Sequence, residues 1–226
     1  MKKIILIALA AVLVFVFAAC QGTDVVGKVA VTSFDELLKA IPEKVVSDET
    51  NNGWTLISPT GERFFWSRDF STEGKADLFI EFDAKPFLTA GLDVTRLPGD
   101  KYAYISETDK LVIYSDLGDK KFEYKGEETA IDSFKKIVEN YRAAVGYHEE
   151  LDHYGVVVGE GNMFEWAKDM ATNDKDIVFV LNPQPFIDAG VDPSKVNDWV
   201  FAKVKVMDEN KKEIEVDKFL KPFNIR

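Results

Sequence analysis

The chain has 226 residues, with 39 Asp and Glu against 28 Lys and Arg, for a formal charge of −11. So acidic a chain excludes nucleic acid as a natural partner, because phosphate binding needs a basic patch. Its 46% hydrophobic and 12% aromatic content is that of a folded body rather than a disordered tail, and its single cysteine rules out a disulfide framework.

The first predicted element lies at the N-terminus. Lys2 and Lys3 precede an uninterrupted apolar run, Ile4 to Ala19, which ends in Phe17-Ala18-Ala19-Cys20. A charged start, an apolar stretch and small residues before a cleavage point make a secretory signal peptide. The run is also shorter than the ~20 residues of a membrane-spanning helix. The small residues followed by Cys20 resemble the lipobox of bacterial lipoproteins. That resemblance implies residues 1–19 as a removed signal peptide, acylation of Cys20 as the new N-terminus, and residues 20–30 as a lipidated start and short tether. Removal of Lys2 and Lys3 takes the formal charge to −13. Anionic headgroups would repel such a body, so its membrane contact is expected through the lipid alone. The expected location is the cell envelope, outside the cytoplasm. Gln21 stands where an aspartate would favour inner-membrane retention, so in a cell with two membranes the outer one is favoured.

The rest of the chain is an internal duplication, expected as repeats at 31–128 and 129–226. A shift of 100 residues superposes Ser33-Phe34 on Ser133-Phe134, Gly61 on Gly161, Phe64 on Phe164 and Trp66 on Trp166. A shift of 99 then superposes Pro86-Phe87 on Pro185-Phe186, Ala90-Gly91 on Ala189-Gly190 and Asp93 on Asp192. Repeats of this kind define architecture.

Each copy opens on a predicted helix. In the first, Ser33 and Glu36 suggest a capping box, Phe34, Leu37, Leu38 and Ile41 share a face, and Pro42 stops it. In the second, Asp132 or Ser133 caps a helix carrying Phe134, Ile137, Val138, Tyr141 and Val145, with Gly146 as its stop. Predicted strands follow at 54–58, 64–70 and 78–83, and again at 154–158, 164–170 and 177–182. The Pro-Phe motif reads as a short helix in each copy. The copies close on hairpins, 102–106 with 111–115 and 199–206 with 213–216. The acidic stretch 116–132 joins the copies, with an edge strand expected around Phe122 to Tyr124. The fold class is therefore α+β: two tandem repeats, each a helix packed on an antiparallel sheet, related by a pseudo-twofold axis.

Several residues invite functional readings. Trp66 and Trp166 share strand faces with Phe64 and Phe164, so period-two alternation assigns them to core packing. Phe65 and Phe79 fall on the opposite faces. Phe65 is matched by Glu165 in the second copy, and an aromatic unique to one copy reads as an exposed binding patch or as a contact between the two copies. Asp93 and Asp192 read as caps of short helical turns, not calcium ligands, because neither segment has the spacing of an EF-hand loop. The two histidines lie in His148-Glu149-Glu150-Leu151-Asp152-His153, where five-residue spacing misses the zincin pattern. A solvated loop is expected there; if a divalent metal binds, His148, Glu149, Asp152 and His153 are its candidate ligands. No cofactor is otherwise implied, and no nucleophile elbow, phosphate loop or acid–base pair can be named. The function expected is a non-enzymatic binding module with an envelope protein or small ligand as partner. The alternatives are a small-ligand or metal-binding lipoprotein, and a hydrolase of envelope polymers.

Overall fold

The computed structural model describes residues 23–68, 76–115, 117, 126, 128–141, 144–148, 151–170, 175–207 and 212–225. Cys20 and the strand expected at Phe122 to Tyr124 lie outside these residues.

Two six-stranded antiparallel sheets repeat one plan. The first copy supplies helix α1 (Thr23–Ala40) and strands β1 (Val45–Asp48), β2 (Gly53–Ile57), β3 (Arg63–Ser67) and β4 (Leu78–Asp83). Short helix α2 (Lys85–Thr89) and strands β5 (Tyr102–Ile105) and β6 (Lys110–Ser115) complete it. The second copy supplies α3 (Ala130–Asn140), β7 (Val145–His148), β8 (His153–Val157), β9 (Met163–Ala167), β10 (Ile177–Leu181), α4 (Gln184–Asp188), β11 (Val200–Met207) and β12 (Glu213–Phe223). The strand orders, β1-β2-β3-β4-β6-β5 and β7-β8-β9-β10-β12-β11, are the same in repeat-equivalent terms. Among the described residues no helix is long and apolar enough to cross a membrane.

The helices cross over. Helix α1 packs on α3 and on β7 and β9 of the other copy, while α3 packs on β3. Trp166 Nε1 donates to Ser33 Oγ at 2.8 Å, and Trp66 Nε1 donates to the Ala130 carbonyl at 3.1 Å. Ser133 Oγ donates to the Ser67 carbonyl at 2.7 Å. These bonds satisfy the polar edges of the largest buried rings, whose burial would otherwise carry an unmet donor.

Repeat-equivalent aromatics meet their own counterparts. Phe34 and Phe134 lie 3.9 Å apart between ring centroids, and Phe87 and Phe186 lie 4.8 Å apart. Phe64 stacks on Phe164 at 4.5 Å with 1° between planes. Each side chain lies at the pseudo-twofold axis, and one apolar core runs through both copies. At the same axis Asp93 N donates to the Ala189 carbonyl and Asp192 N to the Ala90 carbonyl, at 2.8 and 2.9 Å. Gly91 and Gly190 make that approach possible: φ is +105° and +103°, and a Cβ on either would stand 2.9 Å from the other's carbonyl oxygen.

Three helix expectations are corrected. Helix α1 begins at Thr23, so Ser33 is an interior residue that donates back to the Ala30 carbonyl, and residues 23–30 are helix rather than tether. Val26, Val29 and Ala30 pack on the core, which supplies the apolar face that extends the helix upstream. The cap of α3 is Thr129, whose hydroxyl and Asp132 form a reciprocal capping box. Helix α3 stops at Asn140, and Val145 and Gly146 belong to β7, paired with Val156 and Gly155. A β-branched residue such as Val145 fits a pleated strand better than a further turn of helix.

Candidate functional site

The outer faces of the two sheets, turned away from the shared core, are where the copies differ. In the first sheet Phe65 opposes Phe79 across β3 and β4, and their rings stack at 4.4 Å. The expected face is correct, but the expected exposure is not: Phe65 is fully buried and Phe79 is 5% exposed. The Phe65 ring reaches over Gly53, where a Cβ would stand 2.2 Å from it. Val112, Ile105 and Tyr114 pack around the pair. A glycine in the neighbouring strand thus turns an outward aromatic into a covered one.

In the second sheet the same three places hold ionisable groups. His148 replaces Asp48, His153 replaces Gly53, and Glu165 replaces Phe65. His148 and His153 end β7 and begin β8, where they are direct cross-strand partners. The tight connection repeats in the first copy: Asp152 has φ 53° and Asn52 has φ 54°. The solvated loop expected around the histidines is therefore corrected. Strand pairing carries both imidazoles onto one face, at 0% and 2% exposure.

His148 Nδ1 and His153 Nδ1 stand 3.9 and 3.8 Å from the same Glu165 oxygen, Oε2. These are ion-pair separations, too long for hydrogen bonds. Glu165 is 1% exposed, and neither of its oxygens has a hydrogen-bond partner. Burial pushes its carboxyl up, but the two imidazoles outweigh that and hold it below the ordinary carboxylate range. Lys218 approaches from β12. Burial takes its ammonium down to about 8, opposed by the nearby Glu165 charge, and its Nζ donates to the Gly161 carbonyl at 2.8 Å.

Of the other candidate ligands, Glu149 lies outside the described residues. Asp152 is turned elsewhere: it accepts from the Tyr147 hydroxyl and pairs with Lys168 at 3.4 Å. No group of three or more His, Cys, Asp or Glu side chains among the described residues is arranged to hold a metal ion. His148 and His153 turn to Glu165 instead. Glu165 was missed by sequence reasoning because it was weighed only as the counterpart of Phe65. The signal was present: repeat alignment placed it on the Phe65 face, and the turn length placed both histidines beside it.

Asp93 and Asp192 are caps. Each side chain accepts from the backbone two residues on and from the hydroxyl of Thr95 or Ser194. The hydroxyl of Ser194, with Lys195, holds the Asp192 carboxyl down to about 2.

The copies also differ at their last hairpin. Strands β5 and β6 span 4 and 6 residues, whereas β11 and β12 span 8 and 11. Strand β11 ends its sheet. The large apolar side chains left exposed among the described residues all lie on this hairpin: Val200, Phe201 and Ile214, at 45%, 39% and 37%. Comparison with family models, with curated proteins and with solved structures finds no match to this chain.

Proposed function

We propose that the protein is a lipid-anchored envelope lipoprotein whose body is a non-enzymatic binding module, with the β11–β12 hairpin as its contact surface. One observation carries the binding reading: exposed large apolar residues gather on the element that the second copy has lengthened. Residues common to both copies go to the axis, the caps and the core, so duplication leaves function to what differs. The end strand β11 offers unpaired backbone groups beside Val200 and Phe201, the usual arrangement for adding a partner's strand.

The anchoring half of the reading rests on the Phe17-Ala18-Ala19-Cys20 pattern. Helix α1 begins three residues after Cys20, so an acylated Cys20 holds the start of the folded body within about 11 Å of the lipid. The module would then work against the membrane surface and reach only neighbouring envelope components.

Cys20→Ser is expected to move the protein from the membrane fraction to the soluble fraction, with thermal unfolding unchanged. A Cys20→Ser protein that stays with the membrane would remove the lipoprotein assignment.

A further inference from the structure

We propose that His148, His153 and Glu165 form a buried proton switch that ties the packing of the β11–β12 hairpin to the surrounding pH. The inference adds regulation to the contact surface proposed above, and its test needs no partner.

The chain contains two histidines, and both face one carboxylate. Between pH 5 and 8 imidazole is the one ordinary side chain whose charge changes. Glu165 stands where the first copy has a phenylalanine ring, so the second copy holds ionisable groups where the first holds apolar packing. A carboxylate buried to 1% with no hydrogen bond to either oxygen needs a positive charge beside it. A proton on either imidazole supplies that charge.

Among the described residues, the charged and titratable groups that face Glu165 come from three strands besides its own. They are His148 on β7, His153 on β8 and Lys218 on β12. Strand β10 presents Val178 and Val180 to this face, and the hairpin adds Val204 and Leu220 beside them. Once the imidazole proton leaves, Lys218 is the remaining cation of this set. It belongs to β12, so the charge balance is passed to the hairpin.

The sign follows from the charges. The two imidazoles hold the buried Glu165 carboxyl below its ordinary range, so the fold is firmest while an imidazolium opposes it. Stability falls as pH rises and that proton is lost. Lys218 acts the other way at higher pH: its folded value of about 8 lies below its ordinary 10.5, so its contribution grows from about 8 upward.

The test is thermal unfolding of the full-length protein with EDTA present, from pH 5.5 to 8. A tenfold loss in folding constant over that range lowers the midpoint by about 3–5 °C for a chain of this size. In Glu165→Gln the drop is expected to vanish. Should that variant fail to fold, proton NMR of the wild type decides. The two imidazole signals are expected to titrate as a coupled pair, with Val204 and Leu220 methyl signals moving alongside. A midpoint flat in pH, or imidazoles that titrate independently with the hairpin signals still, overturns the switch. So does a rise in midpoint with zinc that Glu165→Gln abolishes, which would make the cluster a metal site instead.

Discussion

Glu62→Ala is expected to lower stability by about 3–5 kcal/mol, because it strands the Lys221 ammonium in a buried setting. Glu62 is 2% exposed, and Lys221 reaches it from the other copy while covering the Trp199 ring. Burial alone pushes the Glu62 carboxyl up. The Lys221 ammonium and the Ser58 and Thr60 hydroxyls outweigh it and hold the group below the ordinary carboxylate range. A carboxyl lowered in the fold stabilises above its unfolded value and loses that contribution as pH falls through the folded one. The cost of Glu62→Ala should therefore shrink below about pH 4. Urea unfolding at pH 7 and pH 3.5 measures both effects. The double variant Glu62→Leu, Lys221→Met should recover most of the loss, since it removes both charges together. A single variant as stable as the wild type would mean that the pair does not fasten the copies. The second copy has Asn162 at the equivalent place, bonded to the Gly159 carbonyl and the Asn182 amide. The Glu62–Lys221 ion pair is thus an asymmetric fastening on a symmetric body.

Phe64→Ala and Phe164→Ala are each expected to cost about 3–5 kcal/mol, the range for emptying a phenylalanine site in a packed core. Both side chains are fully buried, and each ring is the other's stacking partner at 4.5 Å. The double variant should cost clearly less than the sum of the two, because the first truncation already removes the stack that the second would break. Strictly additive values would indicate that the rings do not meet across the axis. The same cycle on Trp54 with Tyr154 should be close to additive, because these repeat counterparts form no aromatic contact between copies.

The duplication was the most legible part of the fold. Because Phe64, Phe87 and Gly91 recur at fixed offsets, the sequence announced two copies, and the structure shows that the recurrence marks the axis. The caps at Asp93 and Asp192 were readable for the same reason, since their chemistry is local. The start of α1 was hidden by a plausible cap at Ser33. Its hydroxyl instead serves Trp166 of the other copy, a contact 133 residues away that no local rule contains. The strands β1 and β7 were missed because four residues are too few for periodicity to separate strand from helix end. The outer faces were the least legible. Phe65 looked exposed because its close approach over Gly53 depends on register between strands. The same register, applied to the second copy, turns a loop with two histidines into a buried pair facing Glu165.

The most direct test of the binding account is photo-crosslinking in intact cells from a probe placed at Phe201, with a second probe at the exposed Glu107 on the short first-copy hairpin. The account predicts a discrete envelope adduct from position 201 that is absent from position 107. It also predicts that the adduct is lost when Val200 and Ile214 are changed to serine in a protein that still folds. Equal labelling from both positions, or an adduct unchanged by the serine substitutions, would contradict the assignment of the β11–β12 hairpin as the contact surface.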